Sequence, residues 1–143
     1  MPKPDPALLD PARYPHSCRV EPRFGDLDIN LHVTNVGLME LAQEGRVRFN
    51  HASAYRDSMA GASTMVASFA IEFLGEAFYP EGLDVHTALS SLGRTSQTIE
   101  QLLTQGERVV AWTRAVIVQV RDGKPSELSE AFRRSAEDWM LRT

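Results

Sequence analysis

Between Thr34 and Phe49 the apolar residues recur at helical spacing, and from Met65 to Val120 they recur at every second position. One long helical stripe followed by four period-two segments leaves few ways to cover every apolar face. Leu38, Leu41, Ala42, Gly45 and Phe49 form the stripe, and Val36, Met39 and Val47 widen it. A helix with so broad an apolar face is buried on most sides. Thr34 or Asn35 offers its N-cap. Gly37 and Gly45 each weaken it by about 1 kcal/mol relative to Ala, which predicts that something approaches the helix closely at both. The four later segments read as strands over 65–73, 83–92, 95–103 and 109–120, with breaks at Tyr79-Pro80-Glu81-Gly82 and Gln105-Gly106-Glu107 and a turn at Asp122-Gly123. A curved antiparallel sheet wrapped around the helix satisfies this order, an α+β arrangement of about five strands.

The fifth strand comes before the helix, where Cys18, Val20 and Phe24 alternate with Arg19, Glu21 and Arg23. Pro22 confines that strand to an edge or marks a bulge. Prolines at positions 2, 4, 6, 11 and 15 make residues 1–15 a lead-in arm on the surface of a single domain, 16–143. Residues 126–141 read as partly helical. Trp112, Val116 and Val118 on the outer side of the sheet predict burial against a second copy, hence a homodimer or homotetramer.

At 143 residues the chain can bury roughly two-thirds of its unfolded surface, enough for a core without disulfide or metal. Fifteen Lys and Arg against nineteen Asp and Glu leave a net charge of −4, which argues against nucleic acid as a partner. Cys18 is the only cysteine, excluding an internal disulfide and a multi-cysteine zinc site. No apolar run approaches the ~18 residues of a membrane helix, and the N-terminus lacks the apolar stretch of a signal peptide, so a cytoplasmic protein without membrane insertion is expected.

Chemistry concentrates in Asp26-Leu27-Asp28-Ile29-Asn30-Leu31-His32, just ahead of the helix. An Asp-x-Asp-x-Asn start suggests calcium, but the sixth and twelfth positions hold Leu31 and Gly37 where such a loop needs Gly and Glu. A transition-metal site would be under-liganded, so neither metal nor cofactor is expected. Two readings remain. In one, Asp and Asn make turns and cap the helix. In the other, a carboxylate near the helix N-terminus is held ionised by unpaired N–H groups, which also stabilise an oxyanion on a bound acyl carbonyl. The residues alone do not choose between them.

Asp28-Ile29-Asn30-Leu31-His32-Val33-Thr34-Asn35, followed by Gln43-Glu44-Gly45-Arg46, resembles the signature of the hot-dog-fold thioesterases, in which an Asp-x-x-x-His-Val-Asn-Asn string leads into a central helix carrying Glu-Glu-Ala-Arg. The 4-hydroxybenzoyl-CoA thioesterase-like family has this pattern, and the longer Asp-Leu-Asp-x-Asn-x-His-Val string also resembles plant acyl-ACP thioesterases. Weaker likenesses lie at Leu92-Gly93-Arg94-Thr95-Ser96 and Gly123-Lys124-Pro125.

The resemblance implies a hot-dog fold and hydrolysis of an acyl-CoA or acyl-ACP thioester. Asp28 falls on the family's catalytic acid, as nucleophile or general base. Asn30 and His32 fall on the residues that position the thioester or water, and the start of the helix, Val33, Thr34, Asn35 and Val36, on the oxyanion site. Glu44 matches the helix acid. Leu38, with the loop from Met59 to Met65, would line the acyl channel. Thr34 replaces an Asn but keeps a capping hydroxyl, and Leu38 replaces a Tyr, leaving the pocket more apolar. Arg46, Arg48 and Arg94 are candidates for coenzyme A phosphates or for plain surface ion pairs. Cys18 is a buried thiol or a nucleophile; His16, His51 and His86 lack nearby acids in sequence; Glu72 faces either a cleft or solvent. The alternatives are an acyl-CoA-binding module without catalysis, and a hydratase or dehydratase of enoyl or hydroxyacyl thioesters using His32 as base.

Overall fold

The computed structural model describes residues 4–143; the first three residues of the expected arm lie outside it. A long helix, α1 (Asn35–Ala52), lies in the curve of an antiparallel sheet. The strands are β1 (His16–Val20), β2 (Ser63–Phe73), β3 (Leu83–Leu92), β4 (Ser96–Gln105), β5 (Arg108–Arg121) and the short β6 (Lys124–Pro125). Two further helices are α2 (Tyr55–Ser58) and α3 (Glu130–Ser135). Among the described residues no helix is long and apolar enough to cross a membrane.

The sheet order is β1-β3-β4-β5-β2, with β6 added beside β5. Only β3, β4 and β5 follow one another as a meander; β2 crosses to the far side of β5 and forms an edge. β1 stops at Val20, short of the expected limit at Phe24, because Pro22 has no N–H for the ladder. Asp122 and Gly123 both take positive φ, 53° and 77°, in the turn that returns β6 onto β5.

The helix packs on alternate residues of the sheet. Leu38, Leu41 and Ala42 meet Leu83, Val85, Leu103 and Ala111 in one cluster, and Phe49 joins Leu89, Ile99, Ala115 and Ile117 in another. Between these two apolar layers runs a polar one. Thr87, Gln101 and Thr113 lie side by side across β3, β4 and β5, and all three are fully buried. Both helix glycines sit at close approaches: a Cβ on Gly45 would fall 2.4 Å from Val85 Cγ1, and one on Gly37 2.9 Å from the Asp26 carbonyl oxygen.

The outer face of the sheet differs from expectation. Trp112 is covered within the chain itself, by Tyr14, Leu8 and Leu9 of the arm and Leu141 of the tail. The arm is not featureless: Pro6–Leu9 and Pro11–Arg13 are 3-10 turns, each started by an aspartate (Asp5, Asp10) accepting a backbone N–H. The Tyr14 hydroxyl donates to the Leu8 carbonyl (2.7 Å), and the Arg142 N–H donates to the Arg13 carbonyl, clamping arm to tail. Apolar surface stays exposed elsewhere, at Val36 and Val47 on α1 and at Met65, Val66 and Phe73 on the β2 edge.

Candidate active site

The loop before α1 folds on itself as a small hairpin. Leu27 bridges Val33, the Asp28 N–H donates to the His32 carbonyl (2.9 Å), and the Leu31 N–H to the Asp28 carbonyl (3.1 Å). Leu31 closes the turn at φ 62°, a left-handed conformation that is unfavourable by about 1 kcal/mol for a residue with a Cβ. Inside the turn Asp28 Oδ1 accepts the N–H of Asn30 (2.8 Å) and of His32 (3.0 Å). One carboxylate oxygen is thus fixed by the backbone, and the other has no protein donor among the described residues.

The neighbouring Asp26 has a different task. It is 4% exposed, and its carboxylate accepts from the Arg23 backbone N–H (2.8 Å) and the Arg23 guanidinium (2.9 Å). Those hydrogen bonds hold it below the usual carboxylate range. Its carbonyl takes the Thr34 N–H (2.8 Å), and Thr34 Oγ1 caps the helix by accepting the Gly37 N–H (3.0 Å). Asp26 and Thr34 therefore seat the first turn of α1.

That seating decides which amide groups are free. Val33 N–H is taken by the Ala77 carbonyl and Thr34 N–H by Asp26, so of the four residues expected as oxyanion donors only Asn35 and Val36 keep an N–H without a protein acceptor among the described residues.

Asp28, His32 and the turn from Val33 to Val36 line one cavity of about 480 Å³, together with Leu38, Phe73, Gly75 and Glu76. His32 is half-buried: its ring packs edge-on against Phe78 (4.9 Å between centroids), and Nδ1 lies 3.6 Å from Glu76 Oε1. Phe73, Gly75, Glu76 and Phe78 were not anticipated from sequence; they come from the end of β2 and the connection beyond it.

A thioesterase-like superfamily model matches residues 22–135. The chain belongs to that superfamily. This thioesterase-like chain is 27% identical to a Thermus thermophilus thioesterase solved with coenzyme A and zinc, with a TM-score of 0.77 over 87% of this chain and 94% of that one. It also superposes on a predicted thioesterase from Bacillus stearothermophilus (19% identity, TM-score 0.79, covering 89% and 97%) and on the probable thioesterase YbaW from Escherichia coli (22%, 0.73, covering 87% and 98%). These likenesses identify the helix-in-curved-sheet arrangement as the hot-dog fold. No curated protein matches by sequence.

Other residues of the thioesterase-like motif are placed elsewhere. The Asn30 side chain is exposed and does not line the cavity; its contribution is the backbone bond to Asp28. Glu44 pairs with Arg48 (3.0 Å) in a separate hollow between β1 and α1. Met59 is buried in the Phe49 cluster, Met65 is exposed on β2, and Arg94 pairs with Glu127 (3.0 Å). Met59 is taken up by core packing, and neither Met59 nor Arg94 lines the cavity. Cys18 packs against the Leu38 cluster, and burial pushes its thiol up, away from the reactive thiolate. Glu72 stands opposite Trp112, on the face turned away from α1. Arg46, on α1, is 8% exposed and donates to Gln101 Oε1 (3.2 Å).

Proposed function

We propose that the protein hydrolyses an acyl thioester, with Asp28 as nucleophile or general base and the N–H groups of Asn35 and Val36 as oxyanion donors. The reading is carried by one observation: a carboxylate, an imidazole and two unengaged amides line a single cavity. The two backbone bonds to Oδ1 fix the carboxylate rotamer before substrate arrives, leaving Oδ2 to attack the carbonyl or take a proton from water. Charge developing on the acyl oxygen is met by dipoles already in place. His32, steadied by Phe78 and Glu76, protonates the leaving thiolate. In sum, water's hydroxyl goes to the acyl carbon and its proton to sulfur. The solved Thermus relative with coenzyme A supports coenzyme A as the carrier ahead of acyl carrier protein.

The same reading includes a homodimer, or a tetramer of two such dimers. β2 is an eleven-residue strand paired on one side only, by β5, and it exposes Met65, Val66 and Phe73. An edge of that length and apolarity is covered in a stable protein.

Asp28→Asn tests the chemistry. Thiol release from a panel of acyl-CoA esters is expected to fall by at least about a hundredfold with the fold retained. Undiminished release removes Asp28 from the mechanism; a change in α,β-unsaturation without thiol release makes the protein a hydratase or dehydratase; binding without either makes it an acyl-CoA-binding module.

A further inference from the structure

The connection between β2 and β3 runs alongside the loop that carries Asp28 and His32. His32 and Phe78 stand opposite each other in an antiparallel bridge. On either side of it the Val33 N–H donates to the Ala77 carbonyl (2.9 Å) and the Tyr79 N–H to the Leu31 carbonyl (3.4 Å). Two residues paired in this way exchange no hydrogen bond with each other; their side chains come close, and their own N–H and C=O groups point outward. That accounts for the edge-on contact of the His32 and Phe78 rings, 4.9 Å between centroids. It also turns the Phe78 N–H and C=O away from the loop, where one side chain meets both.

That side chain is Gln105, the last residue of β4, only 2% exposed. Its Oε1 accepts the Phe78 N–H (2.9 Å) and its Nε2 donates to the Phe78 carbonyl (2.8 Å), as a neighbouring strand would. Nε2 also donates to the Glu81 carbonyl (2.9 Å), and Oε1 also accepts from Arg108 Nη2 (2.8 Å), so both donors and both lone pairs of the amide are in use. Arg108 in turn lays its guanidinium over the Phe78 ring at 4.9 Å. Gln105 does not line the Asp28 cavity, so it acts on the site through another residue. We infer that Gln105 is a positioning residue: it clamps Phe78, and Phe78 holds the His32 ring where it protonates the leaving thiolate. This rests on the thioester-hydrolysis reading. With Nδ1 beside Glu76 (3.6 Å), Nε2 is the ring nitrogen left to serve the sulfur. As the C–S bond breaks, its electron pair stays on sulfur and takes the His32 proton, and the proton of the attacking water restores the ring. A leucine at position 105 fills nearly the same space, but the Phe78 N–H and C=O and the Glu81 C=O lose their partner, and the Phe78 ring is free to shift. A proton donor displaced by a fraction of an ångström transfers more slowly.

The test compares two thioesters of one acyl group, hexanoyl-CoA and the hexanoyl ester of 4-nitrothiophenol, in the parent protein, Gln105→Leu and Phe78→Leu. Nitrothiophenolate leaves without a proton, so only the coenzyme A ester draws on His32. Gln105→Leu is expected to lower kcat/KM for hexanoyl-CoA by about tenfold and to leave the nitrothiophenyl ester within about twofold of the parent. Each comparison is a ratio within one protein, so a reduced folded fraction cancels. Phe78→Leu keeps the backbone clamp and removes the ring; the same selective loss is expected, and this variant carries the test if Gln105→Leu does not fold. Equal losses on both esters, or no loss on either, overturn the inference. The histidine ring-proton resonances give a second readout that needs no substrate, with the His32 signal identified by its absence from His32→Gln. The ring current of Phe78 displaces that signal in the parent, and Gln105→Leu is expected to move it. A signal unmoved by Gln105→Leu in an active protein overturns the inference alone. A parent that releases thiol from neither ester, while the signal still answers to Gln105, discards hydrolysis and keeps the clamp.

Discussion

Gly45→Ala places a methyl group where α1 presses on the sheet. The added Cβ falls 2.4 Å from Val85 Cγ1, 3.0 Å from Val85 Cβ and 3.1 Å from Gln101 Nε2. Carbon atoms normally meet at ~3.5–4.0 Å, so either α1 lifts by about 1 Å or Val85 turns. Val85 is fully buried and β-branched, which makes its χ1 stiff. Overpacking of this kind is destabilising by ~1–3 kcal/mol, against a gain of ~1 kcal/mol for replacing a mid-helix glycine. The net expectation is a loss of up to ~2 kcal/mol, opposite in sign to the usual Gly→Ala change in a helix. Val85→Ala removes two methyl groups and costs ~1.6 kcal/mol or more, but in the double variant the new methyl occupies part of the vacated space. The double variant should therefore be more stable than the sum of the singles by at least ~1 kcal/mol. Urea unfolding followed by tryptophan fluorescence gives all four values. A Gly45→Ala protein more stable than the parent, or two changes that simply add, would refute the packing argument.

Gly37→Ala acts on chemistry more than on stability. Its Cβ would meet the Asp26 carbonyl oxygen at 2.9 Å and Val33 Cγ1 at 3.0 Å, pushing the first turn of α1 by a few tenths of an ångström. Helix propensity offsets most of the strain, while misplacing the Asn35 and Val36 donors slows thioester turnover by about tenfold; a lowered urea midpoint with intact kcat would show that the turn positions nothing. Acid should destabilise the fold in two stages. Burial holds His86 and His16 below the ordinary histidine value, so the unfolded chain takes up protons near pH ~6.5 while the folded chain waits for a lower pH. The stability these histidines contribute is full above that value and drains away as pH falls toward their folded values. Asp26, held down by Arg23, adds a second loss as pH falls from about 4 through its folded value. Urea midpoints measured across this range should fall in both stages, His86→Gln flattening the first and Asp26→Asn the second; a level profile between about pH 7 and pH 5 would contradict the histidine argument.

Much of the fold is legible in the periodicities. β3 occupies the 83–92 segment as read, and α1 begins where Thr34 caps it. Gly45 was expected at a close approach, and Val85 makes it one. Neighbour relations are another matter. Period two says which side chains share a face but not which strand lies alongside, so the pairing of β2 with β5, and with it the free edge, has no local signature. The arm shows the same limit. Leu8, Leu9 and Tyr14 have no regular spacing among the prolines, yet they cover Trp112, which a reading of β5 alone assigns to a second copy.

The site divides along the same line. Within the nine residues from Asp28 to Val36 the nearness of Asp28, His32 and the helix start could be read, because a turn and a helix start bring such neighbours together, whereas the outward turn of Asn30 and the use of the Val33 and Thr34 N–H groups by Ala77 and Asp26 could not. The opposite wall, Phe73, Gly75 and Glu76, arrives some forty residues later and depends on where β2 ends. There Gly75 is forced: a Cβ would lie 2.7 Å from the Val109 carbonyl oxygen, and that close approach sets Glu76 beside His32. Arg46 looked like a surface cation because the sequence does not show that Gln101 turns its carbonyl toward it. A usable signal was present. Thr87, Gln101 and Thr113 are polar residues on the inward side of three consecutive strands, where leucine or valine would pack with no hydrogen-bonding demand. Replacing buried ionic groups by apolar ones is often neutral or stabilising. This layer ends on the Arg46 guanidinium, which Gln101 Oε1 and the Phe69 ring hold between α1 and the sheet.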